Sequence, residues 1–279
     1  MNATKKRTNS LVITIVLFIL ALAFLAPIFL IFINSFKGKL FISEDVFSFP
    51  NSKTFVGLEN YIRGIDTVNF WNSFGLSLFI TVFSVAVIVL CTAMTAWYIV
   101  RVKNKFTNFL YYMFVFSMIV PFQMVMFTLT WFANRLHLDN PVGIIIVYLG
   151  FGAGLSVFMF TGFVKAIPLE IEEAAIIDGC GPIRTFFLIV LPMLKPTAVT
   201  VAILNAMWIW NDYLLPYLLL GTNYKTIPIS IQYLQGSYGN TDYGSLMALL
   251  VLSIVPVIIF YLACQKHVIK SITAGSVKG

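Results

Sequence analysis

Long apolar stretches separated by short polar segments dominate the sequence. Six stretches are nearly free of charge, and each reaches the roughly 20 residues that a helix needs to cross a bilayer. They cover residues 11–33, 74–100, 109–133, 142–164, 196–220 and 245–264. The first stretch exceeds the apolar core of about 7–15 residues in a cleaved signal peptide, so we expect it to be retained. The pattern predicts an all-α integral membrane protein with about six transmembrane helices.

The composition supports a membrane protein. The 279 residues are 59% hydrophobic and 10% charged, whereas a soluble domain usually carries about 25% charged residues. The two histidines, His137 and His267, lie outside the apolar stretches. The sequence therefore predicts no metal site and no cluster of ionisable groups for a membrane-embedded enzyme.

The basic residues indicate how the chain is oriented. Twelve of the 18 Lys and Arg are shared equally among residues 1–10, loop 101–108, segment 165–195 and the tail 265–279. The positive-inside rule places these segments, and so both termini, in the cytoplasm. Residues 34–73 then form an outer segment. Since the net charge of +7 is spread over short clusters rather than one patch, we expect a lipid membrane and no nucleic acid as the partner of these charges.

The polar segment 165–195 predicts two short helices joined at a bend. Pro168 suits the first turn of a helix, and the acidic residues that follow it are favoured by the helix dipole. Gly179 is a natural residue just beyond a helix C-terminus, and a second helical piece ends near Pro192. Helical spacing places one face of the first helix at Ile171, Ala174, Ala175 and Asp178.

Part of this segment resembles the EAA motif of binding-protein-dependent ABC importer permeases. That motif reads E-A-A, three residues, G, nine residues, and I-x-L-P. The chain matches it at Glu173, Ala174, Ala175, Gly179, Ile189, Leu191 and Pro192. The resemblance implies the type I ABC importer permease architecture, with a core domain over residues 74–264 and a cytoplasmic coupling helix that docks on an ATPase.

The resemblance also implies roles for individual residues. The expected ATPase-coupling residues are Glu172, Glu173, Ala174, Ala175, Asp178, Gly179, Ile189, Leu191 and Pro192. Among these, Glu173 would be a polar anchor to the ATPase and the two alanines would allow close contact. Asp178 would cap or pair locally, and Gly179 would provide the bend.

An importer of this kind is an assembly of several chains. The implied partners are a homologous second permease subunit, a cytoplasmic ABC ATPase dimer and an extracytoplasmic solute-binding protein. The chain contains no G-x-x-x-x-G-K-[ST] phosphate-binding motif. We therefore expect no cofactor in this chain and no enzymatic activity of its own, with ATP and Mg²⁺ bound by the separate ATPase. The implied location is the bacterial cytoplasmic membrane.

Four shorter stretches are similar to the carbohydrate branch of the family. They are residues 57–61, Pro121 with Gln123, residues 136–140 and residues 271–279. This similarity implies the second permease of a sugar importer of the maltose or multiple-sugar type. Two alternatives stay open. One is a permease for a non-sugar solute such as a glycerol-phosphate compound, and the other is an ion-coupled secondary transporter that would depend on Asp212.

Polar residues in the fifth stretch are candidates for a solute path, because polar groups inside a membrane are costly and usually functional. Spacing of 100° per residue places Asn205, Trp208 and Asp212 on one face. The candidates could contact solute, line or gate the path, or pack against the partner permease; they are Asn205, Trp208, Asn211, Asp212 and, on the third stretch, Gln123. Aromatic residues near the predicted helix ends are interpreted as interface anchors, among them Trp97 and Tyr148.

Overall fold

The computed structural model describes the backbone of residues 2–234 and 241–276, and the side chains of residues 11–234 and 241–266. Regular structure in these residues is helical, apart from one isolated antiparallel bridge between Lys37 and Phe55. The helices are α1 (Asn2–Asn34), α2 (Lys39–Glu44), α3 (Glu59–Val68), α4 (Phe70–Arg101), α5 (Lys105–Ser117), α6 (Phe122–Arg135), α7 (Gly143–Val164), α8 (Leu169–Ile177), α9 (Pro182–Thr185), a π-helical turn (Phe186–Val190), α10 (Leu191–Met193), α11 (Lys195–Asn211), α12 (Leu214–Leu220), α13 (Ile227–Tyr233) and α14 (Tyr243–Ser276).

Four segments of the described chain are single helices long and apolar enough to cross a membrane. They are Leu11–Asn34, Phe70–Arg101, Gly143–Val164 and Tyr243–Lys266, close to four of the six predicted stretches. Two bent helix pairs bring the number of candidate spans to as many as six. The predicted tail 265–279 begins inside α14, and residues 277–279 lie outside the described residues.

The third predicted span is not one continuous helix. Helix α5 ends at Ser117, α6 begins at Phe122, and the two are bent by 110°. Pro121 has extended backbone angles (φ −65°, ψ 139°). Proline lacks a backbone N–H and disfavours helical geometry in the residue before it, which explains the break.

The fifth predicted span, 196–220, is also interrupted. Helix α11 ends at Asn211, and Asp212 adopts an extended conformation (φ −74°, ψ 122°) before the separate helix α12. At its other end α11 follows the segment Pro182–Met193 with a bend of 77°. The apolar composition of residues 196–220 concealed this break, because only Asp212 marks it in the sequence.

The chain divides into two compact units. The first contains residues 1–71 and 230–256, and the second contains residues 72–229 and 257–279. In the first unit the buried Asn60 side chain donates hydrogen bonds to the backbone carbonyls of Ser35 and Lys37, both at 2.8 Å. Arg63, one turn along α3, pairs with Asp242 at 3.0 Å. The outer segment thus has internal structure of its own, built around α3.

The second unit is centred on α7. Most of this helix is buried, including Tyr148, Val157 and Phe160. Two glycines allow close packing. A Cβ at Gly152 would lie 2.6 Å from Ile88 of α4, and one at Gly154 would lie 2.6 Å from Ser117 of α5. The second unit contains both the segment that resembles the EAA motif and the polar residues of α11.

Candidate coupling site

Helix α8 is the first of the two short helices predicted in segment 165–195. Pro168 is its N-cap residue, and Glu170 and Glu172 lie in its first turn. Four exposed side chains share one face, within about 100° at 100° per residue: Glu170, Glu173, Ala174 and Ile177. Ile177 is 85% exposed, although it is a large apolar residue. This outward face combines acidic, small and apolar side chains.

The predicted face is only partly exposed, since Ile171, Ala174 and Asp178 are exposed and Ala175 is buried. Glu172 and Ala175 are turned inward and are 4% exposed each, whereas the sequence placed Ala175 on the docking face beside Ala174. The reason is electrostatic, since the inward face is the one that brings Glu172 to a basic partner. Ala175 therefore packs inside this chain in the observed structure.

A tight C-terminal motif ends α8. Gly179 has a positive φ of 84°, its N–H donates to the Ile176 carbonyl at 3.0 Å, and the N–H of Cys180 donates to the Ala175 carbonyl at 2.9 Å. These two bonds are those of a Schellman motif, which favours glycine because L side chains rarely adopt this conformation. Asp178 is the C-cap residue and is exposed. The bend predicted at Gly179 is therefore present.

An ion pair between the partly buried Arg101 and the buried Glu172 holds the inner face of α8. Arg101, the last residue of α4, donates to one carboxylate oxygen of Glu172 from Nη2 at 2.7 Å and from Nε at 3.0 Å. The indole N–H of Trp97 donates to the other oxygen at 2.9 Å. Arg101 Nη2 also donates to the Ile167 carbonyl at 3.0 Å. The interpretation of Trp97 as an interface anchor missed its hydrogen bond to Glu172.

A cleft of ≈ 440 Å³ lies beside this ion pair. The end of α4, helix α8 and the start of α9 form its walls, which include the charged residues Arg101, Lys103, Glu172 and Glu173. Both signs of charge therefore face the same cleft.

The remaining residues of the motif lie where the chain turns towards α11. Ile189 is in the π-helical turn, and Leu191 and Pro192 belong to α10. The N–H of Leu191 donates to the Phe186 carbonyl, five residues earlier. Wide turns of this kind often mark functional positions in helices. Leu191 packs against the buried core of the second unit.

Asn205 packs against another helix within this chain. It is 6% exposed, and its amide donates to the Ser156 hydroxyl of α7 at 3.2 Å and to the Val201 carbonyl at 2.9 Å. The sequence suggested packing against the partner permease, whereas the Asn205 amide packs against α7 of its own chain.

Asp212 and Trp208 also face α7. The Tyr148 hydroxyl donates to Asp212 Oδ2 at 3.0 Å, and the Trp208 ring packs edge-on against the Tyr148 ring at 5.4 Å between centroids. Helical spacing correctly placed Asn205, Trp208 and Asp212 on one face. Trp208 keeps 41% of its surface exposed, so its ring is accessible from outside this chain.

The other two candidates for the solute path are exposed. Asn211 donates to the Met207 carbonyl at 2.7 Å, and Gln123 lies in the first turn of α6. Among the described side chains, no group of three or more His, Cys, Asp or Glu could hold a metal ion.

Comparison with known sequences identifies the fold and the general role. Residues 88–274 match the family described as the inner membrane component of binding-protein-dependent transport systems. The chain belongs to this family. The fold predicted from sequence, an all-α membrane permease, is thereby confirmed, and the permease is a multi-pass membrane protein.

Individual relatives cover almost the whole permease. It is 38% identical to a probable starch degradation products transport system permease from Thermoanaerobacterium thermosulfurigenes, over 98% of this chain and 99% of that one. It is 37% identical to a multiple sugar-binding transport system permease from Streptococcus mutans, over 91% and 92%. A crystal structure of a bacterial ABC transporter that imports the acidic polysaccharide alginate contains a similar chain, with a TM-score of 0.78, 26% identity and coverage of 93% and 96%.

Proposed function

We propose that the permease is one of two membrane subunits of an ATP-driven sugar importer, and that α8 is its coupling helix. The outward face of α8 is the observation that carries this proposal. It exposes Glu173, Ala174 and Ile177 on a short helix whose opposite face is fixed by an ion pair. A short helix that exposes apolar and small residues suits a groove in a partner protein.

The proposed partners are a second permease, a cytoplasmic ATPase dimer and an extracytoplasmic solute-binding protein. The ATPase would bind ATP and Mg²⁺, and the permease would bind no cofactor. Glu173 and the other residues of the outward face would contact the ATPase. The excess of Lys and Arg in the four segments named above supports a cytoplasmic position for α8 and for both termini.

The sugar substrate is proposed from the relatives. Two of them are named for the transport of starch degradation products and of multiple sugars. The exposed Trp208 ring could stack on a sugar, with Asn211 and Gln123 as hydrogen-bonding groups of the same path. Asn205 and Asp212 would shape this path from behind, since their polar atoms already bond within the chain.

The ion-coupled alternative is not favoured by the geometry of Asp212. One carboxylate oxygen accepts from Tyr148, and the other accepts from the backbone N–H groups of Leu214 and Leu215. An ion-coupling carboxylate must exchange its partners during transport. Here the carboxylate organises the junction of α11 and α12.

Co-purification tests the coupling helix. The permease is tagged in its host, extracted in mild detergent, and its bound chains are identified. We expect the wild type to retain a second permease and an ATPase, and Glu173→Arg to lose the ATPase, because the charge on the docking face is reversed. Asp139→Arg is the matched control, since it reverses an exposed carboxylate away from α8.

Two results would contradict the proposal. The wild type could purify without any ATPase under gentle conditions, or Glu173→Arg could retain the ATPase as fully as Asp139→Arg does. Uptake of labelled maltooligosaccharides by the reconstituted complex then tests the substrate class. Uptake of glycerol phosphate but of no sugar would replace the sugar assignment with the non-sugar alternative.

A further inference from the structure

The end of α4 and helix α8 are joined through two residues that lie 71 positions apart in the sequence. The Arg101 guanidinium contacts Glu172 through two nitrogens, and it also bonds the carbonyl of Ile167, in the connection between α7 and α8. Trp97, one turn earlier in α4, satisfies the second oxygen of Glu172. Two side chains of α4 therefore hold both α8 and the segment leading into it.

This arrangement is stiff for physical reasons. A guanidinium is planar, so paired contacts fix its orientation as well as its distance. Glu172 is almost fully buried, and separating the pair would leave a buried charge without its partner. Movement of α8 relative to α4 is therefore strongly opposed, whereas movement of both together breaks none of these bonds.

We propose that Arg101 and Glu172 form a rigid joint through which α4 moves as one body with the coupling helix. The inference rests on the proposed function of α8. It assigns the two adjacent acids of the helix different tasks. Glu173 faces outward to the ATPase, and Glu172 faces inward and passes the displacement to α4, a helix of 32 residues. Glu172 and Arg101 are positioning residues in this scheme.

Substitution of the adjacent acids separates the two tasks. The complete complex is reconstituted in proteoliposomes, and sugar uptake and ATP hydrolysis are measured together. We expect Glu172→Gln and Arg101→Gln to keep the ATPase bound and hydrolysing, with uptake per ATP at least 10-fold lower. Glu173→Gln is the matched control and should weaken ATPase retention instead. Arg101→Lys keeps the charge but loses the planar fork, so it should fall between wild type and Arg101→Gln.

A distance measurement tests the joint directly. Spin labels at the exposed positions 103 and 169, neither of them on the outward face of α8, report the separation of the end of α4 from α8 by pulsed electron paramagnetic resonance. We expect this distance to be the same with and without ATP in the wild type, and to change with ATP in Glu172→Gln. A wild-type distance that changes with ATP as much as in the variant would overturn the joint, as would wild-type uptake per ATP in Glu172→Gln. Failure of the wild type to bind an ATPase would instead refute the proposed function of α8.

A separate observation concerns the outer segment, where a buried lysine fixes a loop to the end of α1. Lys37 is fully buried, and its ammonium group donates to the Asp45 carbonyl at 3.0 Å and to the Ser48 hydroxyl at 3.1 Å. The Asn34 amide donates to the Val46 carbonyl at 2.8 Å. These bonds hold residues 45–48 against the last turn of α1.

The fixed loop presents two phenylalanines. Phe47 is 77% exposed and Phe49 is 67% exposed, yet the Phe49 ring lies 6.0 Å from the ring of Phe29 in α1. Phe29 is five residues before the end of the apolar span at Asn34, which is about 7–8 Å along a helix that rises 1.5 Å per residue. The Phe49 ring therefore lies at the depth of the outermost part of a membrane span.

We infer that Phe47 and Phe49 insert into the outer leaflet and anchor the outer segment to lipid. Phenylalanine is among the residues with which anchoring segments enter the boundary between headgroups and acyl chains. The Phe49 ring contacts Phe29 of the lipid-crossing helix α1. This contact distinguishes the two phenylalanines from the exposed residues of α3.

Collision accessibility of a spin label tests the anchor. The label is placed at position 47 of the complex in phospholipid nanodiscs, after replacement of the three cysteines, and at the exposed Lys53 of the same segment as a control. We expect the label at 47 to collide with oxygen but not with a water-soluble nickel chelate, and the label at 53 to show the reverse. Free access of the chelate to position 47 would refute the anchor. Protection from both reagents would refute it as well, because it would show a protein contact.

Discussion

The hydroxyl of Tyr148 donates to the carboxylate of Asp212 at 3.0 Å, across the contact between α7 and the junction of α11 and α12. The other oxygen of the same carboxylate accepts from the first backbone N–H groups of α12. One side chain therefore ends a helix, begins the next and fastens both to the central helix of the second unit. This is a structural task within the chain, and it was not among the roles that the sequence suggested for Asp212.

Removal of the Asp212 carboxylate should destabilise the permease more than removal of the Tyr148 hydroxyl. Asp212→Ala loses the carboxylate that caps the N–H groups of Leu214 and Leu215 from the residue before the N-cap Tyr213, and capping bonds are worth about 0.5–2 kcal/mol. It also leaves the Tyr148 hydroxyl without its partner, at about 1–3 kcal/mol. Tyr148→Phe keeps the cap. Thermal melting in detergent measures the difference, and equal melting temperatures for the two variants would contradict this role of Asp212.

Gly152→Ala should be destabilising because α4, α7 and α11 approach closely at this residue. The added Cβ would lie 2.6 Å from Ile88 and 2.7 Å from the Asn205 amide oxygen, and overpacking of this kind costs about 1–3 kcal/mol. Gly150→Ala is the control on the same helix, since a Cβ there meets nothing within 4 Å. We expect a lower melting temperature only for Gly152→Ala, and a similar loss in both variants would contradict the close approach.

Gly179→Ala should impair coupling through the end of α8. Its φ of 84° is unfavourable for a side chain, and alanine at such a position costs about 1 kcal/mol or more. Transport by the reconstituted complex should fall several-fold, and Gly179→Asn should recover part of it because asparagine tolerates this conformation. Gly181→Ala, at a φ of −71°, is the control, and an equal loss there would show that any added methyl group in this bend is harmful.

The outer segment should lose stability in acid through Asp242. Burial raises the pKa of Asp242, but hydrogen bonds from Ser245 and the nearby Arg63 guanidinium outweigh it and hold the pKa below its ordinary value of 3.8. A lowered pKa in the folded state means that the carboxylate stabilises the fold above pH 3.8, and that this contribution is lost as the pH falls through the folded-state value.

Melting of wild type and Asp242→Asn between pH 6 and pH 2.5 measures this contribution. The wild type should melt higher at pH 6, and the difference should shrink below pH 3.8. Asp66→Asn, at an exposed carboxylate of α3, is the control and should melt like the wild type at pH 6. A difference between wild type and Asp242→Asn that stays constant down to pH 2.5 would contradict the lowered pKa.

The parts of the fold that sequence predicted well are those set by local chemistry. Apolar length is sufficient for the spans of α1, α4, α7 and α14, because a lipid-crossing helix must satisfy its backbone internally. The bend at Gly179 was predictable because a positive φ favours one residue type.

The breaks at Pro121 and Asp212 were missed for a common reason. Both lie within apolar stretches of the roughly 20 residues that predict a membrane span. This criterion does not detect a single residue that ends a helix inside such a stretch. Pro121 carried a usable signal, since proline removes a helical donor. Asp212 carried a weaker one, because an acid in an apolar stretch indicates function as readily as a helix cap.

The partner of Glu172 could not be found from sequence. Helical spacing does separate Glu172 from the face that carries Glu170 and Ala174, and this was available as a sign that Glu172 points inward. Its partners Arg101 and Trp97 belong to a helix that is distant in the sequence. From the sequence alone, Arg101 at the end of a span is explained equally well by the excess of Lys and Arg in cytoplasmic loops.

The π-helical turn at Phe186–Val190 makes the structure of this segment sensitive to the number of residues it contains. Its i→i−5 hydrogen bond from Leu191 to Phe186 accommodates one residue more than an α-helical turn would. Each residue of an α-helix corresponds to 100° of rotation. Deletion of a single residue from this turn would therefore rotate the helix that follows the turn relative to the helix that precedes it. The twelve residues between Gly179 and Pro192 therefore fix an angle, so the number of residues in this segment matters as much as the two residues that bound it.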